Sequence, residues 1–223
     1  MRSIYAFVVF TIFSAAFLPG CMADVEEPGP DESIAQMESA LVADDATTKA
    51  VFAETASALA PESIEAAIAY GAAQIDASLY TGCSAGEYRM GASPATEMHF
   101  DGRGCGQSYI YVLRPGWKGF DCSGLIYKMF EYAGVSFPYT SSAAMAAVPA
   151  VPKASIQRGD LLVKPGSHVA MYLGEAEGTP WALEASPKIV MEQDGIWRVA
   201  KGVMVVDATS YLNNSSYTAR RVP

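Results

Sequence analysis

Histidine and positive charge are both scarce in this chain of 223 residues. It contains only His99 and His168, and charged residues of both signs make up 17% of its composition. Residues 22–80 hold twelve acidic side chains and a single basic one, Lys49. Residues 81–223 hold thirteen basic and twelve acidic residues. Since no basic surface is available to neutralise phosphates, we expect no nucleic-acid partner.

Long apolar runs are missing after the first twenty residues. Residues 4–18 follow Arg2 and are apolar apart from Thr11 and Ser14, which is short for the ~20 residues that span a bilayer. We therefore predict a signal peptide over residues 1–20. Residues 18–21, LPGC, resemble a bacterial lipobox, which implies lipidation of Cys21 and a stable anchor in the cell envelope, at the outer membrane if the host has one. The alternative is an ordinary secretory signal in which Cys21 is incidental.

Composition divides the remainder into three parts. Residues 21–32 mix acidic residues with proline and glycine and predict a linker. Residues 33–80 are acidic and alanine-rich with apolar residues at helical spacing, so we predict a helical segment whose last helix begins near Glu62 and reaches Leu79. This segment is either a regulatory or partner-binding cap or, as we favour, a set of helices packed on the domain that follows. We predict that this domain comprises residues 81–223.

The heptapeptide at residues 119–125, GFDCSGL, places Cys122 where an apolar helix begins. Leu125, Met129 and neighbouring apolar residues recur at helical spacing, and Gly134 is suited to end the helix. In the first turn, free N–H groups and the helix dipole favour an anion, and a cysteine pKa of about 8.5 can fall to ~3.5–7.5. We predict that Cys122 is a nucleophile, with Asp121 available to cap the helix.

A thiolate needs a base to pass protons to the leaving group, and only two histidines are available. His168 lies in residues 167–174, SHVAMYLG, whose alternation predicts a strand. His99 stands beside a glycine-rich loop, and we interpret it as a solvated or core residue. The base is therefore predicted to be His168.

Three blocks, FDCSGL at residues 120–125, GDLL at 159–162 and HVAMYLG at 168–174, resemble the NlpC-type cell-wall cysteine peptidases in order and spacing. The resemblance runs from about Tyr109 to the end of the chain. It implies an α+β, papain-like fold, with the nucleophile helix packed on an antiparallel sheet and preceded by a small helical N-terminal segment. The substrate it implies is a peptidoglycan stem peptide, cut at a D-glutamyl to diamino-acid bond.

The resemblance also assigns residue roles around Cys122 and His168. The position of the third polar residue, which orients the base, holds Glu184, with Ser186 and Gln193 as alternatives. A tyrosine before the nucleophile helps to form the oxyanion hole; Tyr111 is the candidate, and Tyr109 stays possible. Asp121 and Ser123 match positions that hold the amino end of the substrate, although both could equally be structural.

The remaining cysteines, Cys83 and Cys105, lie in a glycine-rich stretch. In an exported protein they are expected to form a disulfide worth roughly 3 kcal/mol. A zinc site with His99 would lack a fourth ligand, so we expect no metal. Cys122 is then the free thiol.

We accordingly expect an exported, lipid-anchored cysteine peptidase that uses Cys122, His168 and Glu184, requires no cofactor and acts as a monomer on peptidoglycan peptides. One alternative keeps the fold but is an amidase or acyltransferase on another substrate. A second alternative is a lipid-anchored binding protein without catalysis.

Overall fold

The computed structural model describes residues 43–55, 60–82, 85–101, 109–193 and 196–223. The helices are α1 (Asp45–Thr55), α2 (Glu62–Ala72), α3 (Cys122–Tyr132), α4 (Ser142–Met145) and α5 (Thr209–Asn213), and Gly86–Arg89 and Lys153–Ser155 are short 3-10 helices. The strands are β1 (Ser78–Tyr80), β2 (Met98–Asp101), β3 (Tyr109–Leu113), β4 (Lys118–Phe120), β5 (Ala150–Val151), β6 (Leu161–Lys164), β7 (His168–Ala176), β8 (Thr179–Gln193), β9 (Ile196–Asp207) and β10 (Thr218–Arg220). None of the helices within these ranges is long and apolar enough to cross a membrane.

Eight strands form one sheet in the order β2-β3-β9-β8-β7-β6-β10-β5. The six strands from β9 to β5 are antiparallel, whereas β3 runs parallel to β9. Successive residues of a strand point to opposite faces, so Val169 and Met171 of β7 join one apolar cluster while Ala170 and Tyr172 join another. The sheet is thus covered on both faces, and the predicted α+β fold is confirmed.

Helix α3 packs on this sheet through its apolar face. Four of its side chains are fully buried: Leu125, Ile126, Met129 and Phe130. They contact α2, β7 and β8. The helix ends at Gly134, whose φ of 70° is left-handed; its N–H donates to the Glu131 carbonyl at 3.1 Å, and the Val135 N–H donates to the Phe130 carbonyl at 3.0 Å. These two bonds satisfy the last carbonyls of the helix, so the predicted helix and its end are confirmed.

Helix α2 is shorter than the apolar pattern predicts. It ends at Ala72 rather than reaching Leu79, and the chain then turns through Asp76, which has a φ of 59°. Leu79 lies in β1 instead, where it pairs with Gly119 of β4 and is 4% exposed. The prediction of helix at Leu79 is wrong, because burial and pairing beside the strand that leads to Cys122 outweigh a local helical periodicity.

Helices α1 and α2 pack into the same apolar core as α3. Val51 of α1 and Ile68 of α2 are 1% and 2% exposed and belong to one cluster with Phe130 and Leu183. The described part of the acidic segment therefore packs on the nucleophile helix and the sheet, which agrees with the interpretation we favoured. A domain boundary at residue 80 stays a prediction.

A buried guanidinium joins both N-terminal helices to the sheet. The Arg158 side chain is 4% exposed, and its Nε and Nη2 donate to the two Glu65 carboxylate oxygens at 2.7 and 3.0 Å. Its Nη1 donates to Thr55 Oγ1 at 2.7 Å and to the Leu173 carbonyl at 2.9 Å. One side chain thus holds α1, α2 and β7 together.

Replacing Arg158 by methionine is expected to lower the free energy of unfolding by about 3 kcal/mol, because buried acceptors on Thr55 and Leu173 lose their donor. Urea unfolding followed by circular dichroism measures the change. Arg114→Met is the control, since its side chain is 70% exposed and its ion pair with Glu97 lies on the surface. We expect a loss below ~0.5 kcal/mol there. Similar losses in the two variants would contradict the anchoring role.

Candidate active site

Cys122 forms no disulfide with another residue of the described ranges, is 2% exposed and begins α3. The preceding residue caps the helix, since Asp121 Oδ1 accepts the Gly124 N–H and, at 3.0 Å, the Ser123 hydroxyl. Asp121 Oδ2 lies 3.2 Å from Arg89 Nε. The capping role considered for Asp121 is confirmed. Substrate binding by Asp121 and Ser123, which are 1% and 0% exposed, stays a prediction.

The glycine after Ser123 is required by a close approach of another segment. A Cβ added at Gly124 would overlap the backbone carbonyl oxygen of Arg89. The same oxygen accepts the Asp121 N–H at 3.0 Å, so the segment around Arg89 is bonded to the start of α3. Glycine therefore lets this segment support the turn that presents Cys122.

Gly124→Ala is expected to destabilise the fold by at least ~3 kcal/mol, because the methyl group meets backbone rather than a movable side chain. Gly134→Ala is the comparison, since a Cβ there meets open space and only the left-handed φ is strained. Its expected cost is ~1 kcal/mol. Both values come from urea unfolding, and equal costs would contradict the close packing at Gly124.

His168 and Glu184 meet across two neighbouring strands. His168 is the first residue of β7, and Tyr172 of β7 pairs with Ala182 of β8. Because side chains alternate between the two faces of a sheet, His168 and Glu184 lie on the same face, as diagonal neighbours on adjacent strands. His168 Nε2 lies 2.9 Å from Glu184 Oε2, with 17% and 3% of the two side chains exposed. This hydrogen bond leaves Nδ1 as the other ring nitrogen of His168. Glu184, among the three orienting candidates, is the residue that the structure brings to the imidazole.

Two tyrosines that the sequence analysis did not single out complete this cluster. Tyr211 donates its hydroxyl to Glu184 Oε2 at 2.7 Å, and its ring stacks on Tyr217 with centroids 4.8 Å apart. The His168 ring centroid is 5.7 Å from that of Tyr211 and 6.3 Å from that of Tyr217. No motif marks either tyrosine; only the general tendency of β10 to form a strand was visible.

Burial, and next the charge of Glu184, raise the pKa of both Tyr211 and Tyr217 above the ordinary tyrosine value. The charge of Cys122 raises both further, although it contributes less. Both hydroxyls therefore stay protonated, and Tyr211 remains a donor to Glu184. The charge of Cys122 thus acts on the two tyrosines whose rings lie beside the ring of His168.

The predicted oxyanion donor is a tyrosine hydroxyl. Tyr111 and Tyr109 lie in β3, between β2 and β9, and their side chains are outside the described part, so both stay predictions. Tyr88 is a further candidate, because it directly precedes Arg89 and is half-buried against Leu79 and Leu113. Sequence reasoning missed it because it lies much further from Cys122 in sequence than the tyrosine that the resemblance implies.

The other predicted site residues lie elsewhere. His99 has a side chain that is 66% exposed and lies 3.0 Å from Glu97, which confirms the solvated interpretation. Cys21, Cys83 and Cys105 lie outside the described residues, so lipidation and the disulfide stay predictions. Within the described ranges, no cluster of three or more histidine, cysteine, aspartate or glutamate side chains is arranged to hold a metal ion.

An α+β domain with a buried cysteine at a helix start, close to a histidine–carboxylate pair on the adjoining sheet, defines a papain-like class of protein. The chain belongs to the NlpC/P60 family, whose sequence profile matches residues 87–215. The resemblance found in the sequence is thereby confirmed, and the match begins just before Tyr88.

Two curated relatives are named as peptidoglycan endopeptidases. RipA of Mycolicibacterium smegmatis is 37% identical over 79 residues, which is 34% of this chain and 16% of that protein. RipB of Mycobacterium tuberculosis is 40% identical over 77 residues, covering 31% of this chain and 32% of that protein. The chain therefore matches less than a third of the length of either relative.

Solved NlpC/P60 structures are similar over more of the chain but at lower identity. The peptidoglycan hydrolase RipB of M. tuberculosis is 21% identical with a TM-score of 0.45, covering 92% of this chain and 95% of that one. RipD of M. tuberculosis, described as a non-catalytic domain adapted to peptidoglycan binding, is 21% identical with a TM-score of 0.44, covering 74% and 100%.

Proposed function

We propose that this chain is a cell-envelope cysteine peptidase in which Cys122, His168 and Glu184 act as a catalytic triad. The observation that carries the proposal is the hydrogen bond of 2.9 Å between His168 Nε2 and Glu184 Oε2, which lies on the two strands against which the helix that begins at Cys122 packs. A buried thiol at a helix start, a base and an orienting carboxylate are the three groups that acyl transfer needs.

The proposed reaction uses both ring nitrogens of His168. With Nε2 donating to Glu184, Nδ1 takes the thiol proton as Cys122 sulfur attacks the amide carbonyl carbon. The C–N bond then breaks, the leaving amine takes the proton from Nδ1, and a thioester remains on Cys122. Water gives a proton to Nδ1 and attacks the thioester, which releases the acid and restores the thiol.

Glu184 and Tyr211 support the base. The carboxylate holds the imidazole in one tautomer and stabilises the imidazolium that forms during the reaction. Tyr211, bonded to the same Oε2 atom, fixes the carboxylate in turn. The Cys122 N–H and a tyrosine hydroxyl, from Tyr111 or Tyr88, would donate to the oxygen that gains charge, and each such donor is commonly worth ~2.7–4 kcal/mol of the barrier.

The substrate we propose is a peptidoglycan stem peptide, hydrolysed at a D-glutamyl to diamino-acid bond. Family membership and the names of the relatives, peptidoglycan endopeptidases, support a cell-wall substrate. Lipidation of Cys21 would anchor the enzyme at the membrane near that substrate.

Digestion of purified sacculi followed by mass analysis tests this function. We expect the full chain to release fragments whose masses place the cut between the second and third stem residues. Fragments cut elsewhere, such as at the sugar–peptide amide, would favour the amidase alternative. Binding to sacculi without any release would favour the non-catalytic alternative.

A further inference from the structure

An open groove lies along the exposed side of α3, away from the catalytic cluster. Its volume is about 580 Å³. It is lined by residues from α2, from the 3-10 helix Gly86–Arg89 and the segment after it, and from the second half of α3: Tyr70, Glu87, Met90, Gly91, Ala92, Lys128, Glu131 and Tyr132. Neither Cys122, His168 nor Glu184 contributes to it, so the catalytic proposal does not account for the groove.

Two tyrosines form an aromatic platform in this groove. Tyr132 is 68% exposed, the highest value among the large hydrophobic side chains of the described residues. Its ring centroid lies 4.9 Å from that of Tyr70, with the ring planes inclined by 32°. Lys118 Nζ lies 5.4 Å from the centroid of Tyr70. The Tyr132 ring is therefore open to water and is supported by the half-buried Tyr70 ring, and an exposed aromatic ring in a groove indicates a binding surface.

Charge around the platform is balanced. Glu87 and Glu131 bring two carboxylates, and Lys128 with the nearby Lys118 brings two ammonium groups. Lys128 Nζ is held by Glu131 Oε2 at 2.6 Å. A groove of this kind does not select a phosphate or another polyanion. Flat aromatic faces surrounded by neutralised donors and acceptors suit a neutral, hydroxyl-rich ring, because the polarised C–H groups of a sugar face pack on the negative face of an aromatic ring.

One wall of the groove is continuous with the turn before Cys122. The Gly91 N–H donates to the Gly119 carbonyl at 2.8 Å, and Arg89, one residue before Met90, contacts Asp121. Along α3, Lys128 lies six residues after Cys122, about 9 Å at the helical rise of 1.5 Å per residue. A peptide of three residues spans up to ~10 Å. The separation of Lys128 from Cys122 along the helix axis is thus comparable to the length of a stem peptide.

We propose that this groove binds the glycan strand of the polymer, with a sugar ring stacked on the exposed ring of Tyr132, which Tyr70 supports. The proposal deepens the proposed function and rests on it, because the groove serves hydrolysis only if a stem peptide attached to the bound glycan reaches Cys122. Glycan binding itself needs no catalysis, so the two proposals can fail separately.

Calorimetric titration of Cys122→Ala protein with peptide-free glycan strands, and with N-acetylglucosamine oligomers, tests the groove. We expect binding, and we expect Tyr132→Ala to weaken it by about tenfold because a buried aromatic contact is lost. Tyr132→Phe should retain the binding, since the ring remains. Trp117→Ala is the matched control, because Trp117 is also exposed, at 38%, but does not line the groove.

Hydrolysis provides the second measurement. In protein with Cys122 intact, Tyr132→Ala should raise KM for sacculi while leaving kcat and KM for a free stem peptide unchanged. Absence of glycan binding, or equal weakening by Tyr132→Ala and Trp117→Ala, would overturn the glycan assignment. An increased KM for the free peptide in Tyr132→Ala would also overturn it and would assign the groove to the peptide. Glycan binding without any hydrolysis by the wild type would contradict only the catalytic proposal.

Discussion

Replacing Cys122 by alanine is expected to lower fragment release from sacculi by roughly 10⁴-fold or more, because the thioester route is lost with the sulfur. Cys122→Ser should be nearly as inactive, since a hydroxyl at this helix start lacks the acidity of a thiol. Mass analysis of released fragments over time measures both rates. Unfolding in urea should remain close to wild type for the serine variant, which shows that loss of activity is not loss of fold.

Thiol alkylation measures the reactivity of Cys122 independently of the sacculus digestion. Iodoacetamide should modify Cys122 of the reduced, folded protein near neutral pH faster than Cys83 or Cys105, and peptide mapping identifies the modified residue. A slow Cys122, or identical fragments from wild type and Cys122→Ala, would remove Cys122 from the mechanism.

The second large effect concerns the base and its carboxylate. His168→Ala is expected to lower kcat by roughly 10⁴-fold, because no other group accepts the thiol proton. Glu184→Gln should lower kcat by roughly 10²-fold, since a neutral amide keeps a hydrogen bond to the ring but does not stabilise imidazolium. Tyr211→Phe should have a smaller effect, because it removes one of the two hydrogen bonds to Glu184 Oε2 and leaves the charge.

The comparison requires kcat across a pH series for each variant. Because the Glu184→Gln variant stabilises the imidazolium less, its profile of kcat against pH should be shifted and its maximum kcat lowered. Loss of packing alone would not shift the profile. His99→Ala is the matched control, because His99 is the other histidine and is exposed. Full activity of Glu184→Gln would exclude Glu184 from the triad, and full activity of His168→Ala would exclude the proposed base.

Local sequence patterns were informative wherever a single segment decides its own structure. The cap at Asp121, the apolar spacing of α3 and the left-handed end at Gly134 all lie within fourteen residues, and each was read from the chain. The alternating pattern after His168 likewise indicated β7. The helical spacing of apolar residues gave a wrong prediction at Leu79, because this residue pairs with a strand that is distant in sequence.

Residues that act through distant partners were not readable in this way. Arg158 meets Glu65 across 93 positions of sequence, and Arg89 contacts Asp121 from a segment that lies well before it in the chain. Tyr211 and Tyr217 reach His168 only because the last helix and strand return beside β6 and β7. No local signal marks such residues, since each becomes important through its contacts rather than through its neighbours in sequence.

The helix of Cys122 and the family resemblance could be predicted from the chain alone, because a helix cap, an apolar period and ordered motifs are properties of neighbouring residues. The contacts of Glu184 with His168, of Tyr211 with Glu184 and of Tyr70 with Tyr132 became apparent only in the folded chain. The physical reason is register and packing: shifting a strand by one residue would turn Glu184 to the opposite face of the sheet. The pairing of α2 with α3, in turn, is what places the two groove tyrosines side by side.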